Sequence, residues 1–150
     1  MWWIVSDAQL IDANQSSQIV TAARSIDGDP GTFSSTTNTS NISLVWWKAS
    51  IMPQIMVGKV QLKASSGGGA IHVSLFNKRK LVGLCGPHAG GSPPTNLTME
   101  CTQLQSSLGT PADMVKLTLN STWLHVYDVK VIPLLGKTFY LTRWHKMINN

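Results

Sequence analysis

The sequence predicts an all-β domain, a sandwich or a barrel. Short runs rich in β-branched and aromatic residues recur about every ten residues. Clusters of Gly, Ser, Pro and Asn punctuate them. No apolar stripe repeats at the 3.6-residue helical period over any long stretch.

The first forty residues hold one helical turn, over residues 19–25, followed by the turn Asp27-Gly28-Asp29-Pro30-Gly31. Trp46 and Trp47 then stand side by side on an expected strand. Neighbours on a strand point to opposite faces, so one should enter the core and the other pack at an edge or stack on a ligand. Residues 57–64 read as a strand with Val60 and Leu62 on one face, and residues 65–69 as a turn. Residues 70–76 alternate cleanly, with Ile71, Val73 and Leu75 inward and His72 and Ser74 outward. Residues 77–80 close a hairpin before the apolar run 81–84. Residues 86–96, rich in Gly and Pro, read as a loop. Residues 115–119 alternate again, and residues 123–132 form a further strand, mixed at its start and alternating at its end.

The chain has 150 residues, enough for one domain with a real core and too few for two. We divide it into an extension (1–7), a domain (8–135) and a tail (136–150). Charged residues are 13% of the chain, about half the usual share. That excludes a coiled coil or a charged disordered tail. No run of about 18 apolar residues is present, which excludes a transmembrane helix. The net charge of +5 comes from 12 bases against 7 acids. The bases are scattered, with Lys78-Arg79-Lys80 the densest cluster, and no basic stripe with interleaved aromatics argues for nucleic acid.

Sequons occur at Asn14, Asn38, Asn41, Asn96 and Asn120. They point to an extracellular, glycosylated protein, a setting in which a Cys85–Cys101 disulfide is stable. The opening Met1-Trp2-Trp3-Ile4-Val5 lacks the basic region and cleavage site of a signal peptide, so a secreted protein would reach this domain as a fragment or module.

Enzyme signatures fail. Leu135-Gly136-Lys137-Thr138 resembles the end of a phosphate-binding loop, but Val131 occupies the place of its first glycine. No zincin histidine pair or nucleophile elbow is present. His72, His88, His125 and His145 are far apart in sequence and read as surface or strand residues. The chain is expected not to be an enzyme. The segment Asp27-Gly28-Asp29 has two readings. It is either a turn with self-bonded aspartates, or a turn whose side chains and carbonyls converge on a hard cation such as Ca²⁺.

Gln15-Ser16-Ser17, Ala23 with Ile26-Asp27-Gly28-Asp29 and Thr32, Trp46-Trp47-Lys48, Val60-Gln61-Leu62, and the run from Trp123 to Val131 come in an order that resembles the discoidin (coagulation factor 5/8 type C-like) domains. The likeness is narrowest to their fucose-binding lectin branch, the fucolectins of eel agglutinin type. It covers roughly residues 8–133 and implies a galactose-binding-like jelly-roll β-sandwich used for extracellular recognition. It also implies a loop-closing cysteine pair, here Cys85 and Cys101. A structural Ca²⁺ would be held by Asp27, Asp29 and the Arg24 carbonyl, with Asp128 closing the site from the last strand. The lectins grip fucose with one His and two Arg. Those positions fall here on Asn38-Thr39, near Ser65, and within or after residues 67–69. Asn38 and Lys63 are therefore the candidate ligand-binding residues of a degenerate fucose site. Lys63 cannot reproduce a guanidinium fork. The expected partner is a glycan or a cell-surface glycoprotein. The alternative is a cell-adhesion module or a phospholipid-binding module on an anionic membrane surface, inserting apolar loop tips at residues 81–84 beside Lys78 and Lys80.

Overall fold

The computed structural model describes residues 9–16, 22–26, 31–37 and 44–134. Nine strands form, with no α-helix among the described residues. They are β1 (Gln9–Gln15), β2 (Ser34–Thr37), β3 (Leu44–Ile55), β4 (Val57–Ser66), β5 (Ala70–Asn77), β6 (Lys80–Ala89), β7 (Thr95–Gln103), β8 (Ala112–Asn120) and β9 (Trp123–Pro133). The hydrogen-bonded order is β1-β3-β8-β5-β6-β7-β4-β9-β2, antiparallel throughout.

The ribbon folds into two faces at β7. Its first part pairs with β4, Thr95 opposite Ala64 and Glu100 opposite Lys59. Its end pairs with β6, Cys101 opposite Cys85 and Gln103 opposite Gly83. We call β1-β3-β8-β5-β6 the first sheet and β7-β4-β9-β2 the second. The cysteines form a disulfide at the crease, with Cα atoms 4.0 Å apart.

Period-two alternation fills the space between the sheets. Val45, Trp47, Ala49 and Ile51 of β3, and Val115, Leu117 and Leu119 of β8, point inward from the first sheet. Val60, Leu62 and Ala64 of β4, with Leu124, Val126, Val129 and Val131 of β9, meet them from the second. Ile71, Val73 and Leu75 are buried and His72 is exposed, as the alternation predicts. Trp47 is wholly buried, whereas Trp46 stays half-buried on the outer face.

The two edge strands are clasped rather than left open. Gln15 Nε2 donates to the Ser35 carbonyl at 2.8 Å, and the Ser16 and Thr36 hydroxyls lie 2.9 Å apart. A 3-10 turn at Ala22–Ile26 packs against β1 and β9, and the Trp47 indole donates to the Ala22 carbonyl at 3.4 Å. The expected helical turn is thus present from residue 22.

Two readings of the middle of the chain need correction. Residues 86–96 are not one loop: β6 continues to Ala89 and β7 starts at Thr95. Gly86 takes a φ of +76° where the β5–β6 register shifts, and that irregularity admits Pro87 into a strand. Residues 81–84 are not a loop tip either. They lie within β6, with Val82 buried in the core and Leu84 exposed on a strand. The hairpin at residues 77–80 is present, and its turn residues Lys78 and Arg79 both have positive φ, as a two-residue hairpin turn requires.

Candidate functional site

Alternate residues of β9, Trp123, His125 and Tyr127, emerge on the outer face of the second sheet because Leu124 and Val126 between them enter the core. Phe33, one residue before β2, stacks on His125 with centroids 4.8 Å apart and lies 5.0 Å from Tyr127. Trp123 stands 4.7 Å from His125. From β4 on the other flank, Lys63 holds its ammonium 5.2 Å from the Tyr127 ring centre. Such a cation gains from the negative ring face. The row is half-buried, so it offers apolar faces to a partner at small desolvation cost.

At the foot of the row the β4–β9 register slips. Lys63 pairs with Asp128, but Ala64 pairs with Val126. Tyr127 and Asp128 are consecutive, yet neither enters the core. A bulge of this kind re-aims side chains that strict alternation would send inward. Below it lies an open concavity of about 280 Å³, lined by Gln61, Lys63, Asn96, Thr98, Asp128 and Lys130. Two ammonium groups face one carboxylate there. The ion pair found among the described residues, Lys59–Glu100, lies elsewhere on this face, so Asp128 is not consumed by one. Hydroxyl-rich ligands need just this mixture: donors and acceptors beside a flat apolar wall.

Burial lowers the His125 pKa below its ordinary 6.5. A histidine whose folded pKa is depressed binds fewer protons folded than unfolded near that pH. Its contribution is therefore fully present above the unfolded pKa and falls as pH drops through 6.5 toward the folded value. Thermal midpoints measured from pH 7.5 down to pH 5 are expected to decline, and to decline less in His125→Gln.

The residues singled out from sequence are distributed as follows. Lys63 and Asp128 line the concavity together. Arg24 belongs to the 3-10 turn that packs against β9. Asp27, Asp29, Asn38 and Asn41 lie outside the described residues, as do His145 and residues 1–7 and 136–150. Asn14, Asn96 and Asn120 are exposed on β1, β7 and β8. Ser65 is buried and residues 67–69 form a tight glycine turn, so neither place carries a guanidinium toward a sugar. Among the described residues no group of three or more His, Cys, Asp or Glu side chains gathers.

The aromatic row was missed from sequence, although its signal is plain in retrospect: three aromatic rings at i, i+2 and i+4 of one strand. At the opposite end of the sandwich, Met52, Pro53 and Met114 share an open concavity of about 560 Å³ with Lys78, Arg79 and Asp113.

No family model and no curated protein matches the chain. Solved structures do. The lectin-binding domain of lectinolysin, complexed with Lewis b, is 22% identical over 83% of this chain and 92% of its own, with a TM-score of 0.60. The family 32 carbohydrate-binding module of AlyQ, in complex with 4,5-unsaturated mannuronic acid, is 15% identical over 84% of this chain and 97% of its own, with a TM-score of 0.65. The family 32 module of NanJ from C. perfringens, in complex with galactose, is 14% identical over 83% and 98%, with a TM-score of 0.62. At such identities the likeness is one of architecture, and the chain folds as a galactose-binding-like jelly-roll β-sandwich.

Proposed function

We propose that this chain is a non-catalytic carbohydrate-binding module, lectin-like, that holds a sugar on the outer face of its second sheet. The observation that carries this is the continuity of an aromatic row with a polar concavity on β9. Trp123 or Tyr127 offers a ring face to the C–H face of a pyranose. Lys63, Gln61, Asn96 and Lys130 donate to hydroxyls, and Asp128 accepts. The shared fold with domains solved in complex with Lewis b, galactose and an unsaturated uronic acid supports the reading. A fucose grip of the fucolectin kind is not part of it.

A glycan array followed by calorimetry tests the site. Aromatic anchors in a recognition surface are often worth about 2 kcal/mol, roughly thirtyfold in affinity. Trp123→Ala and Tyr127→Ala are each expected to lower sugar affinity by about that factor without loss of fold. Unchanged affinity in both variants would remove the site from this face.

The disulfide and the exposed sequons support an extracellular setting. Asn96 and Thr98 both line the concavity, so a glycan on Asn96 and a ligand at this site would exclude one another. A structural Ca²⁺ at Asp27 and Asp29, with the Arg24 carbonyl and with Asp128 closing the site, forms a separate part of the proposal and is the alternative use of the Asp128 carboxylate. The second reading, contact with an anionic membrane, rests on the concavity at the other end, where Met52 is 60% exposed beside Lys78 and Arg79. Sedimentation with phosphatidylserine vesicles that Trp123→Ala leaves intact would favour it.

A further inference from the structure

The outer face of the first sheet carries a second arrangement, formed by Trp46, Lys48 and Lys116. Lys48 of β3 and Lys116 of β8 are direct cross-strand partners. Like charges placed opposite each other destabilise a strand pair. Their ammonium groups lie 5.2 and 5.3 Å from the same ring centre, that of Trp46. All three side chains are half-buried, which limits how far either lysine can swing away. Neither is paired with a carboxylate among the described residues, where the ion pair found joins Lys59 to Glu100 on the second sheet. The neighbours in register are Asn14 opposite Lys48, Thr118 opposite Trp46, His72 opposite Thr118 and Ser74 opposite Lys116, none of them acidic; Asp12, two residues before Asn14 on β1, forms no ion pair with either lysine. Two unneutralised cations thus converge beside one indole on a flat, hydroxyl-bearing surface. A single anionic group between them would relieve the repulsion, and the ring would cover the apolar side of whatever carries that group.

We propose that this face binds acidic polysaccharide, with a carboxylate or sulfate of the chain between Lys48 and Lys116 and the sugar ring against Trp46. Two lysines beside one indole suit a polymer that carries its charge on the sugar ring itself. Duplex nucleic acid, with one charge about every 1.7 Å of its axis, calls for a longer basic track than this face provides. The surface lies on the opposite sheet from the site proposed above and stands whether or not that site binds sugar.

Affinity electrophoresis of the full chain tests it, with polygalacturonate as the carboxylate arm, heparin as the sulfate arm and dextran as the neutral control. One or both acidic polymers are expected to retard the protein, and dextran not. Lys48→Gln with Lys116→Gln should weaken the retardation at least tenfold. Lys59→Gln with Lys80→Gln, an equal charge change at two exposed lysines outside this cluster and outside the other site, should weaken it far less. The Lys48/Lys116 variant should melt at the same temperature as the parent or higher, because an opposed pair has been removed. The proposal is overturned by no retardation, by equal weakening in the two double variants, by single-stranded DNA retained as strongly as either acidic polymer, or by a lower melting temperature on loss of the lysine pair.

Discussion

Trp47→Ala is expected to lower the free energy of unfolding by about 3–5 kcal/mol. The indole is wholly buried on the inner face of β3, between the two sheets. Removing it takes away the largest fully buried side chain among the described residues and leaves a void that rigid strands cannot close. Its N–H also donates to the Ala22 carbonyl, so the variant strips a partner from the 3-10 turn that leans on β9. Trp46→Ala is the matched comparison. The same residue type, one position earlier, sits half-buried on the outer face and should cost about 1.5 kcal/mol or less. Urea titrations of the two variants give the difference directly. Equal losses would mean that the inside and outside of β3 are assigned the wrong way round.

Removing the disulfide is the second large effect. Cys85 and Cys101 close a loop of 16 residues in sequence separation. Loop-closure entropy for that length corresponds to about 3 kcal/mol at 25 °C. The crosslink joins direct register partners at the crease, so no rearrangement of the folded state is needed to form it. Cys85→Ala with Cys101→Ala should therefore unfold at clearly lower denaturant concentration, and reductant should shift the parent to nearly the same midpoint. A reductant effect of similar size in the alanine variant would assign the shift to something other than this bond.

Much of the fold could be read from local pattern. Ile71, Val73 and Leu75, and the opposed fates of Trp46 and Trp47, follow from period-two alternation alone. What resisted reading depends on a partner strand. The slip at Lys63 and Ala64 turns both Tyr127 and Asp128 away from the core, and one extra residue in a strand is invisible until its neighbour is known. Pro87 suggested a loop, because a proline breaks a ladder unless a register shift accommodates it, as one does here between β5 and β6. The site was legible in pieces. Lys63 and Asp128 were singled out for other reasons and prove to share one concavity. Trp123, His125 and Tyr127 could have been found by spacing. Phe33 could not, since only the pairing of β2 with β9 brings it beside them.

The crease at β7 also governs how the molecule comes apart. A sandwich whose leaves merely lie face to face can part like the covers of a book, one leaf surviving the other. Here the same backbone is stitched into both leaves, through β4 on one side and β6 on the other. Parting them means tearing that shared strand from one neighbour, with the sulfur bridge holding the seam. The domain is thereby built to melt in a single cooperative event, and a recognition surface on either leaf inherits the rigidity of both.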